Sequence, residues 1–283
     1  MLKVFGFIRR NQQLTHDEYR AGHVGYHNSF GRRLNNIRGY LLNVRANRSL
    51  AESLGAAVAG SITRNEPGDF DDQWDGWGQL LFDSLEDYLA ARSPARDRAT
   101  PDGLQHDPDV AGVGGDFDYL YSGSPCQFHV SERVCTAVGR PERKLFKLAQ
   151  FGKRRDGLAP ELFEAYWSGR YASLIQHLPG LRGMVVNVRS PLDVMTGFFP
   201  PDAEGFTEAG IARREHFYSQ WDGIAEYWFD SPENYAAARG NSALNEQLAE
   251  LEDVLFERCF YREVDETVAV LPNRHPAPDF YYR

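Results

Sequence analysis

One stretch of this sequence occurs twice. Residues 221–239 match residues 74–92 at 11 of 19 positions without a gap, beginning with Trp-Asp-Gly in each copy. The repeat extends towards the N-terminus, because residues 3–45 and 147–189 agree at 13 of 43 positions. An internal repeat constrains the fold strongly, since each copy is expected to form the same structural unit.

The two copies also share one predicted order of elements, strand–helix–strand–strand–helix–strand. This is the order of the ferredoxin-like module, a four-stranded sheet with helices on one face. We therefore expect two modules, 1–140 and 141–283, joined near residues 138–143. The bare face of each sheet must be covered. The sequence thus predicts an α+β fold in which the two sheets face each other as an intramolecular pseudo-dimer and enclose a barrel-like cavity.

Composition excludes several classes of protein. A formal net charge of −9 argues against a nucleic-acid partner, and 42% hydrophobic residues are enough for a packed core. No apolar run is long enough to cross a membrane. The first residues enter a strand pattern at once, which leaves no room for a signal peptide. Three cysteines without metal-ligand spacing are typical of reduced thiols, so we expect a cytoplasmic protein.

Irregular segments follow the second predicted strand of each copy, at 46–72 and 190–219. A long loop is expected at 94–116 and a surface tail at 271–283. Loops of this length inside a compact domain are uncommon and often functional. Because 190–219 is rich in phenylalanine and proline, we expect it to fold over a cavity mouth, either as a lid or as a strap that covers apolar surface.

Several short motifs in both copies resemble the EthD-like branch of the dimeric α+β barrel superfamily. In the first copy they are Leu14-Thr15, Tyr19, His27, Arg38-Gly39-Tyr40 and Asp75-Gly76, and in the second Leu158, Phe163, Trp167, residues 178–182 and residues 222–226. The resemblance implies a dimeric α+β barrel and allows a homodimer. Its members include cyclases, dehydratases, muconolactone isomerases, cofactor-free monooxygenases and heme enzymes, so the fold does not fix the chemistry.

One predicted helix differs between the copies. It opens with a capping box at Thr15, and the family usually carries Trp on this helix with His four residues later. The first copy has His23 and His27, whereas the second has Trp167 and Tyr171. We therefore expect one active pocket and one pocket that is degenerate or has a supporting role.

Three residues are the candidates for catalysis. His27 is the predicted acid or base, because imidazole titrates near neutral pH. Tyr171, or His129 in the closing strand, is predicted to polarise a substrate oxygen. The alternative for each is a structural role. His23 and His27 lie four residues apart, as zinc ligands do, but no third ligand is evident and no metal site is predicted.

Aromatic residues are numerous enough to line a cavity for a flat, apolar molecule. The predicted substrate-binding residues are His23, Tyr26, Tyr40, Trp77, Trp167 and Trp228. Strand alternation is expected to place Trp74 and Trp77 on opposite faces of the third strand. Asp75 and Asp222 match between the copies, which favours a structural role for both.

The sequence therefore predicts an enzyme of the lyase, dehydratase, cyclase or isomerase type. It would transfer protons without a cofactor on a small hydrophobic substrate, for which we expect an aromatic compound. The alternatives are a monooxygenase or heme-dependent oxidoreductase of the same fold, and a binding protein without catalytic activity. An aromatic substrate places such an enzyme in aromatic compound metabolism.

Overall fold

The computed structural model describes residues 1–32, 34–91, 117–141, 143–196, 198–240 and 242–272. The loop expected at 94–116 and nearly all of the expected tail lie outside these residues. No helix within the described ranges is long and apolar enough to cross a membrane. The fold is mixed α+β and is built around one closed barrel of strands.

Eight antiparallel strands form the barrel, in the order β1–β3–β2–β8–β5–β7–β6–β4. They are β1 (Leu2–Ile8), β2 (Gly39–Arg45), β3 (Gly76–Phe82), β4 (Cys126–Thr136), β5 (Phe146–Arg154), β6 (Leu181–Arg189), β7 (Gly223–Phe229) and β8 (Phe256–Val270). Alternate side chains of a strand point to opposite faces. In β1, Phe5 and Phe7 face the barrel interior, whereas Val4 and Ile8 pack on the outer side.

The first four strands and the last four have the same arrangement. In the first half β1 and β3 are central, with β4 and β2 at the edges, and in the second half β5 and β7 are central, with β8 and β6 at the edges. Pairing of β2 with β8 and of β4 with β6 closes the barrel. The predicted α+β barrel is therefore confirmed within one chain.

Short helices cover the outer surface of the barrel. They are α1 (His16–Ala21), α2 (Asn28–Gly31), α3 (Leu50–Leu54), α4 (Ala56–Ile62), α5 (Leu85–Ala90), α6 (Phe117–Leu120), α7 (Pro160–Tyr166), α8 (Ala172–Ile175), α9 (Glu208–Ser219), α10 (Pro232–Arg239) and α11 (Ser242–Leu255). Two π-helices, π1 (Gly22–His27) and π2 (Trp167–Tyr171), interrupt the helices that follow β1 and β5. The single long helix expected after each of these strands is therefore divided into three pieces.

One end of the barrel is closed by aromatic rings from both halves. Phe70 and Trp74 come from the first half, and Phe217 and Trp221 come from the second. Phe70 stacks on Phe217 with ring centroids 5.6 Å apart. Trp74 and Trp77 also lie together in the interior, 5.3 Å apart. The expectation that they face opposite sides is wrong, because Trp74 precedes β3 and does not follow the alternation of that strand.

A polar belt crosses the barrel interior between this aromatic end and the opposite end. Lys147 Nζ lies 2.6 Å from Glu226 Oε1 and donates to Asn43 Oδ1 at 2.6 Å. Glu226 also accepts from Gln79, and it lies 3.4 Å from Lys3 Nζ. Burial alone would raise the pKa of Glu226, but the ammonium groups of Lys147 and Lys3 outweigh it and lower this pKa to about 2. The belt therefore joins the two halves through ionised groups.

Each half contributes an insertion that packs on the other half. The segment 46–72 contains α3 and α4, and its Leu54 and Ile62 are buried with outer residues of the second half. The segment 190–219 ends in α9, and four of its apolar side chains are buried on the outer face of the first half: Val194, Met195, Phe198 and Phe199. The two segments are thus more regular than expected, and 190–219 acts as a strap on apolar surface.

Phe198 provides a test of the strap. Its ring stacks on Tyr88 with centroids 4.9 Å apart, and the Tyr88 hydroxyl donates to the carbonyl of Val194 at 3.1 Å. We expect Phe198→Leu to lower the free energy of unfolding by about 1 kcal/mol, the scale of an aromatic pair. Urea denaturation measures this value. Leu192→Ala, at an exposed position of the same segment, should change it by less than about 0.5 kcal/mol, and equal effects of the two substitutions would contradict the strap.

The matching aspartates have the same structural role in both halves. Asp75 accepts from the backbone N–H of Arg10 at 2.9 Å, and Asp222 accepts from the backbone N–H of Arg154 at 2.9 Å. Each arginine also donates to a carbonyl four residues later. The predicted structural role of the two aspartates is confirmed.

Candidate functional site

The helical segment after β1 carries the predicted histidines. The backbone N–H of Glu18 donates to Thr15 Oγ1 at 3.2 Å, and the Glu18 carboxylate accepts from the backbone N–H of Thr15 at 2.8 Å. This confirms the predicted capping box. The helix then widens into π1, a type of turn that is often found at functional sites.

The π-helix brings three rings into one stack. His23 lies 5.3 Å from Tyr19 and 5.4 Å from His27, measured between ring centroids, and the planes are nearly parallel. Tyr121 packs edge-on against both histidines, with its hydroxyl 2.8 Å from His23 Nδ1. We call Tyr19, His23, His27 and Tyr121 the histidine cluster.

Sequence reasoning did not identify Tyr121. It directly follows α6, the helix that comes after the stretch at 94–116. No predicted helix or strand contains it. In the structure an isolated bridge to Arg10 holds it beside the end of β1. The only signal in the sequence was an aromatic residue shortly before a closing strand, which is too common a pattern to single it out.

Two polar atoms of the histidine cluster are buried and unsatisfied. His23 Nε2 and the Tyr19 hydroxyl have no hydrogen-bond partner among the described residues. Such an atom costs free energy, so an unpartnered pair often marks the place of a water or a ligand. Burial lowers the pKa of His23 well below its usual range, and nearby His27 lowers it further. His23 is therefore neutral at pH 7.

The strands next to the cluster have small residues on their outer face. Gly6 of β1 is paired with Gly78 of β3. A Cβ atom at Gly6 would meet only the side chain of Gln127, at 3.4 Å or more. In the aligned second half these two positions hold Gln150 and Ala225. The first half thus has less side-chain volume at this point of the sheet.

The equivalent region of the second half is filled and hydrogen-bonded. The Tyr171 hydroxyl lies 2.9 Å from Glu252 Oε1, 3.2 Å from Gln150 Nε2 and 3.3 Å from the Tyr261 hydroxyl. Trp167 donates to Gln150 Oε1 at 3.3 Å. Burial raises the pKa of Tyr171 well above its usual range, and Glu252 adds to this effect, so Tyr171 remains protonated. These contacts are those of a packed core.

The three predicted catalytic residues lie in different places. His27 belongs to the histidine cluster, whereas Tyr171 belongs to the core of the second half. His129 lies half-buried on the outer face of β4, where its Nδ1 is 2.8 Å from Ser190 Oγ. Burial lowers the pKa of His129, and the positive N-terminus lowers it further.

The predicted substrate-binding residues are also divided. Tyr40 packs over Gly78 on the outer face of the first half, near the histidine cluster. Trp77 faces the barrel interior, and Trp228 does so near the polar belt, whereas Trp167 lies outside the second half. Tyr26 is 54% exposed. In an α-helix it would share a face with His23, but the wider π-helical turn directs it to solvent.

Two cavities lie at the seam between the halves. We call the smaller one, of about 260 Å³, the mouth cavity; it is lined by Arg140, Pro141, Arg143, Lys144, Leu145, Trp228, Glu266 and Val268. The larger one, of about 430 Å³, shares Lys144 and Leu145 with it. Within the described ranges no cluster of three His, Cys, Asp or Glu side chains could hold a metal ion.

Three solved structures are similar to this chain. One is a proposed monooxygenase from Fusobacterium nucleatum, with 8% identity and a TM-score of 0.49; the match covers 98% of this chain and 95% of that chain. Another is an anthrone oxidase-like protein, with 10% identity, a TM-score of 0.48 and coverage of 98% of this chain and 96% of that chain. The third is a proposed monooxygenase from Lactobacillus acidophilus, with 10% identity, a TM-score of 0.48 and coverage of 95% of each chain. A search among curated proteins found no match. The family model of the EthD domain matches residues 155–257, which supports the EthD resemblance for the second half.

Proposed function

We propose that this protein is an enzyme that transfers protons on a small, mainly apolar carbonyl compound without a bound cofactor. The proposed site is the histidine cluster of the first half. The observation that carries the proposal is the pair of buried, unpartnered polar atoms, His23 Nε2 and the Tyr19 hydroxyl, beside His27. The second half has a hydrogen-bonded tyrosine network in the equivalent place.

The tautomer of His23 assigns the roles. When the Tyr121 hydroxyl donates to His23 Nδ1, the neutral imidazole carries its hydrogen on Nε2. This N–H and the Tyr19 hydroxyl are then two donors for a substrate oxygen. Burial raises the pKa of Tyr19 well above its usual range, and the charge of Asp75 adds to this, so the hydroxyl keeps its proton. His27 removes a proton from the carbon beside the carbonyl while the two donors stabilise the negative charge that develops on oxygen.

The proton can be returned at another carbon, as in an isomerase, or its removal can accompany loss of a leaving group, as in a lyase. The proposed substrate is flat and apolar, because the cluster is aromatic and the neighbouring sheet carries Gly6 and Gly78. Tyr40 provides an aromatic wall over Gly78.

We further propose that the halves are two copies of one ferredoxin-like module, of which the second has lost its pocket. The equal strand orders and the matching Asp75 and Asp222 contacts support this. So does the replacement of Gly6 and His23 by the larger Gln150 and Trp167 at the aligned positions.

Exchange of substrate hydrogen with solvent tests the proposed function. The protein is incubated in D₂O with a panel of aromatic ketones and lactones, and mass spectrometry detects incorporation of deuterium beside the carbonyl. We expect at least one compound to gain deuterium faster than in buffer, and His27→Gln to abolish this gain. Exchange that persists in His27→Gln would reject the proposed site.

Further measurements separate the rival activities. Oxygen consumption with the same panel would identify a monooxygenase, and a Soret band in the absorbance of the pure protein would identify a heme enzyme. Tight binding of a panel compound without exchange, oxygen consumption or product would identify a binding protein. Each result excludes cofactor-free proton transfer as the main activity.

Gly6 provides a test of the pocket that leaves His27 unchanged. Gly6→Gln introduces the side chain that the second half has at this position. We expect the KM of a panel substrate to rise about tenfold, the effect of losing roughly 1.4 kcal/mol of binding. The added Cβ has ordinary contacts, and thermal unfolding of the variant shows whether the rest of the glutamine side chain is accommodated without loss of the fold. An unchanged KM would show that the substrate does not lie against Gly6.

A further inference from the structure

The mouth cavity has the chemistry of a second binding site. It opens at the seam, where the segment that links the two halves contributes Arg140. Its polar side is formed by Arg140, Lys144 and Glu266, and its apolar side includes Leu145 and Trp228. A volume of about 260 Å³ is slightly below that of pockets for drug-sized ligands, so it suits a small molecule.

Positive charge exceeds negative charge at this mouth. Glu266 is shared by two cations, since Arg140 lies 3.2 Å and Lys147 2.7 Å from its oxygens. Burial alone would raise the pKa of Glu266, but Lys147 and Arg140 outweigh it and lower this pKa, so the single carboxylate is ionised. Two more carboxylates at the seam are shared in the same way: Asp265 by Arg20 and Lys144, and Asp230 by Arg143 and Arg182.

This excess occurs in a chain with a net charge of −9. The lining of the mouth cavity holds three cationic side chains, Arg140, Arg143 and Lys144, and one carboxylate, Glu266, which leaves donor groups for an added anion. Burial lowers the pKa of Lys144 and the charge of Arg20 lowers it further, whereas the charge of Glu263 acts in the opposite direction.

Two donors of the polar belt behind the mouth cavity have no acceptor. Asn43 pairs with Glu266 across the β2–β8 ladder and with Trp77 across the β2–β3 ladder. Asn43 Nδ2 and Trp77 Nε1 are buried and have no partner among the described residues. Both are hydrogen-bond donors in the same row of the sheet as Glu266, on the inner side of this region.

We propose that the mouth cavity binds a small organic carboxylate. Arg140 and Lys144 bind its oxygens, since guanidinium and ammonium groups are strong donors to carboxylates. Its apolar body lies against Trp228 and Leu145. This site is separate from the histidine cluster, which lies outside the barrel, and does not depend on the activity proposed there.

Benzoate and benzamide form a matched pair of probes for calorimetric titration of the full chain. They have nearly the same shape, but only benzoate is charged. We expect benzoate to bind at least tenfold more tightly than benzamide and to bind more weakly at high salt. Equal affinities, or no saturable binding of benzoate, would overturn the proposal. Inorganic phosphate that binds as tightly as benzoate would overturn the assignment to a carboxylate with an apolar body.

Variants locate the bound probe. Arg140→Gln should remove most of the preference for benzoate, and Lys144→Gln, at a 57% exposed side chain, should weaken benzoate several-fold. Arg133→Gln is the control, because Arg133 is 59% exposed and pairs with Glu164 at another place. If Arg140→Gln does not fold, the affinity of Lys144→Gln for benzoate is the test of the site. Wild-type affinity for benzoate in a folded Arg140→Gln, or in Lys144→Gln where it replaces that variant, would contradict the proposed site.

Discussion

Glu226→Gln should lower the free energy of unfolding by about 3 kcal/mol, the lower end of the range for breaking a buried ion pair. The substitution removes the charge that faces Lys147 and Lys3 in the barrel interior. We expect a loss at the lower end of this range because both lysines keep a carboxylate partner: Lys147 keeps Glu266, and Lys3 keeps Glu132. Since the pair joins the two halves, the loss should appear as one cooperative transition in urea denaturation.

The pH dependence of stability provides a second measurement on the same residue. The pKa of Glu226 is about 2 in the folded state, below its ordinary value of 4.5. A lowered pKa contributes stability that is present above pH 4.5 and is lost as the pH falls towards 2. The free energy of unfolding should therefore fall less steeply with acid in Glu226→Gln than in the wild type.

Glu164→Gln is the control, because Glu164 pairs with the exposed Arg133. This substitution should lower the free energy of unfolding by less than about 1 kcal/mol.

His27→Gln should reduce turnover of an exchanging substrate by about 10²–10⁴-fold, the usual effect of losing a general acid or base. Glutamine is preferred to alanine because His27 is buried, and a cavity beside His23 would complicate the result. Steady-state kinetics measures kcat. The KM should change little, because the proposed donors to the substrate oxygen are His23 and Tyr19.

A second histidine serves as the control for this experiment. His177 lies at the exposed end of the helical segment that follows β5. His177→Ala should have wild-type kcat. Equal losses in the two variants would point to a general effect on the protein, and wild-type kcat in a folded His27→Gln would rule out His27 as the proton-transfer group.

Much of the fold could be predicted because the repeat imposes one strand order on two segments. The strands are rich in apolar residues, and they have the same arrangement in both halves. The insertions were predicted less well. Each one packs on the opposite half, and no local pattern in 46–72 or 190–219 encodes the surface on which it folds.

The candidate site could be predicted only in part. Helical spacing found His23 and His27, but the widening of the helix at π1 moved Tyr26 to the surface. Tyr121 joins the cluster through a contact over a long sequence distance, which periodicity cannot show. The polar belt was missed for a similar reason. Lys3, Lys147 and Glu226 stand on separate strands, and each alone would suggest an exposed strand position.

A structure of the protein with a substrate that exchanges hydrogen in D₂O, or a close unreactive analogue of it, tests the central claim most directly. We expect the ligand to lie on the outer face of the first half. Its carbonyl oxygen should be within hydrogen-bond distance of His23 Nε2, its reactive carbon should be next to His27, and its body should lie over Gly6. A ligand bound beside Tyr171 in the second half, or in the barrel interior alone, would show that the histidine cluster is not the active site.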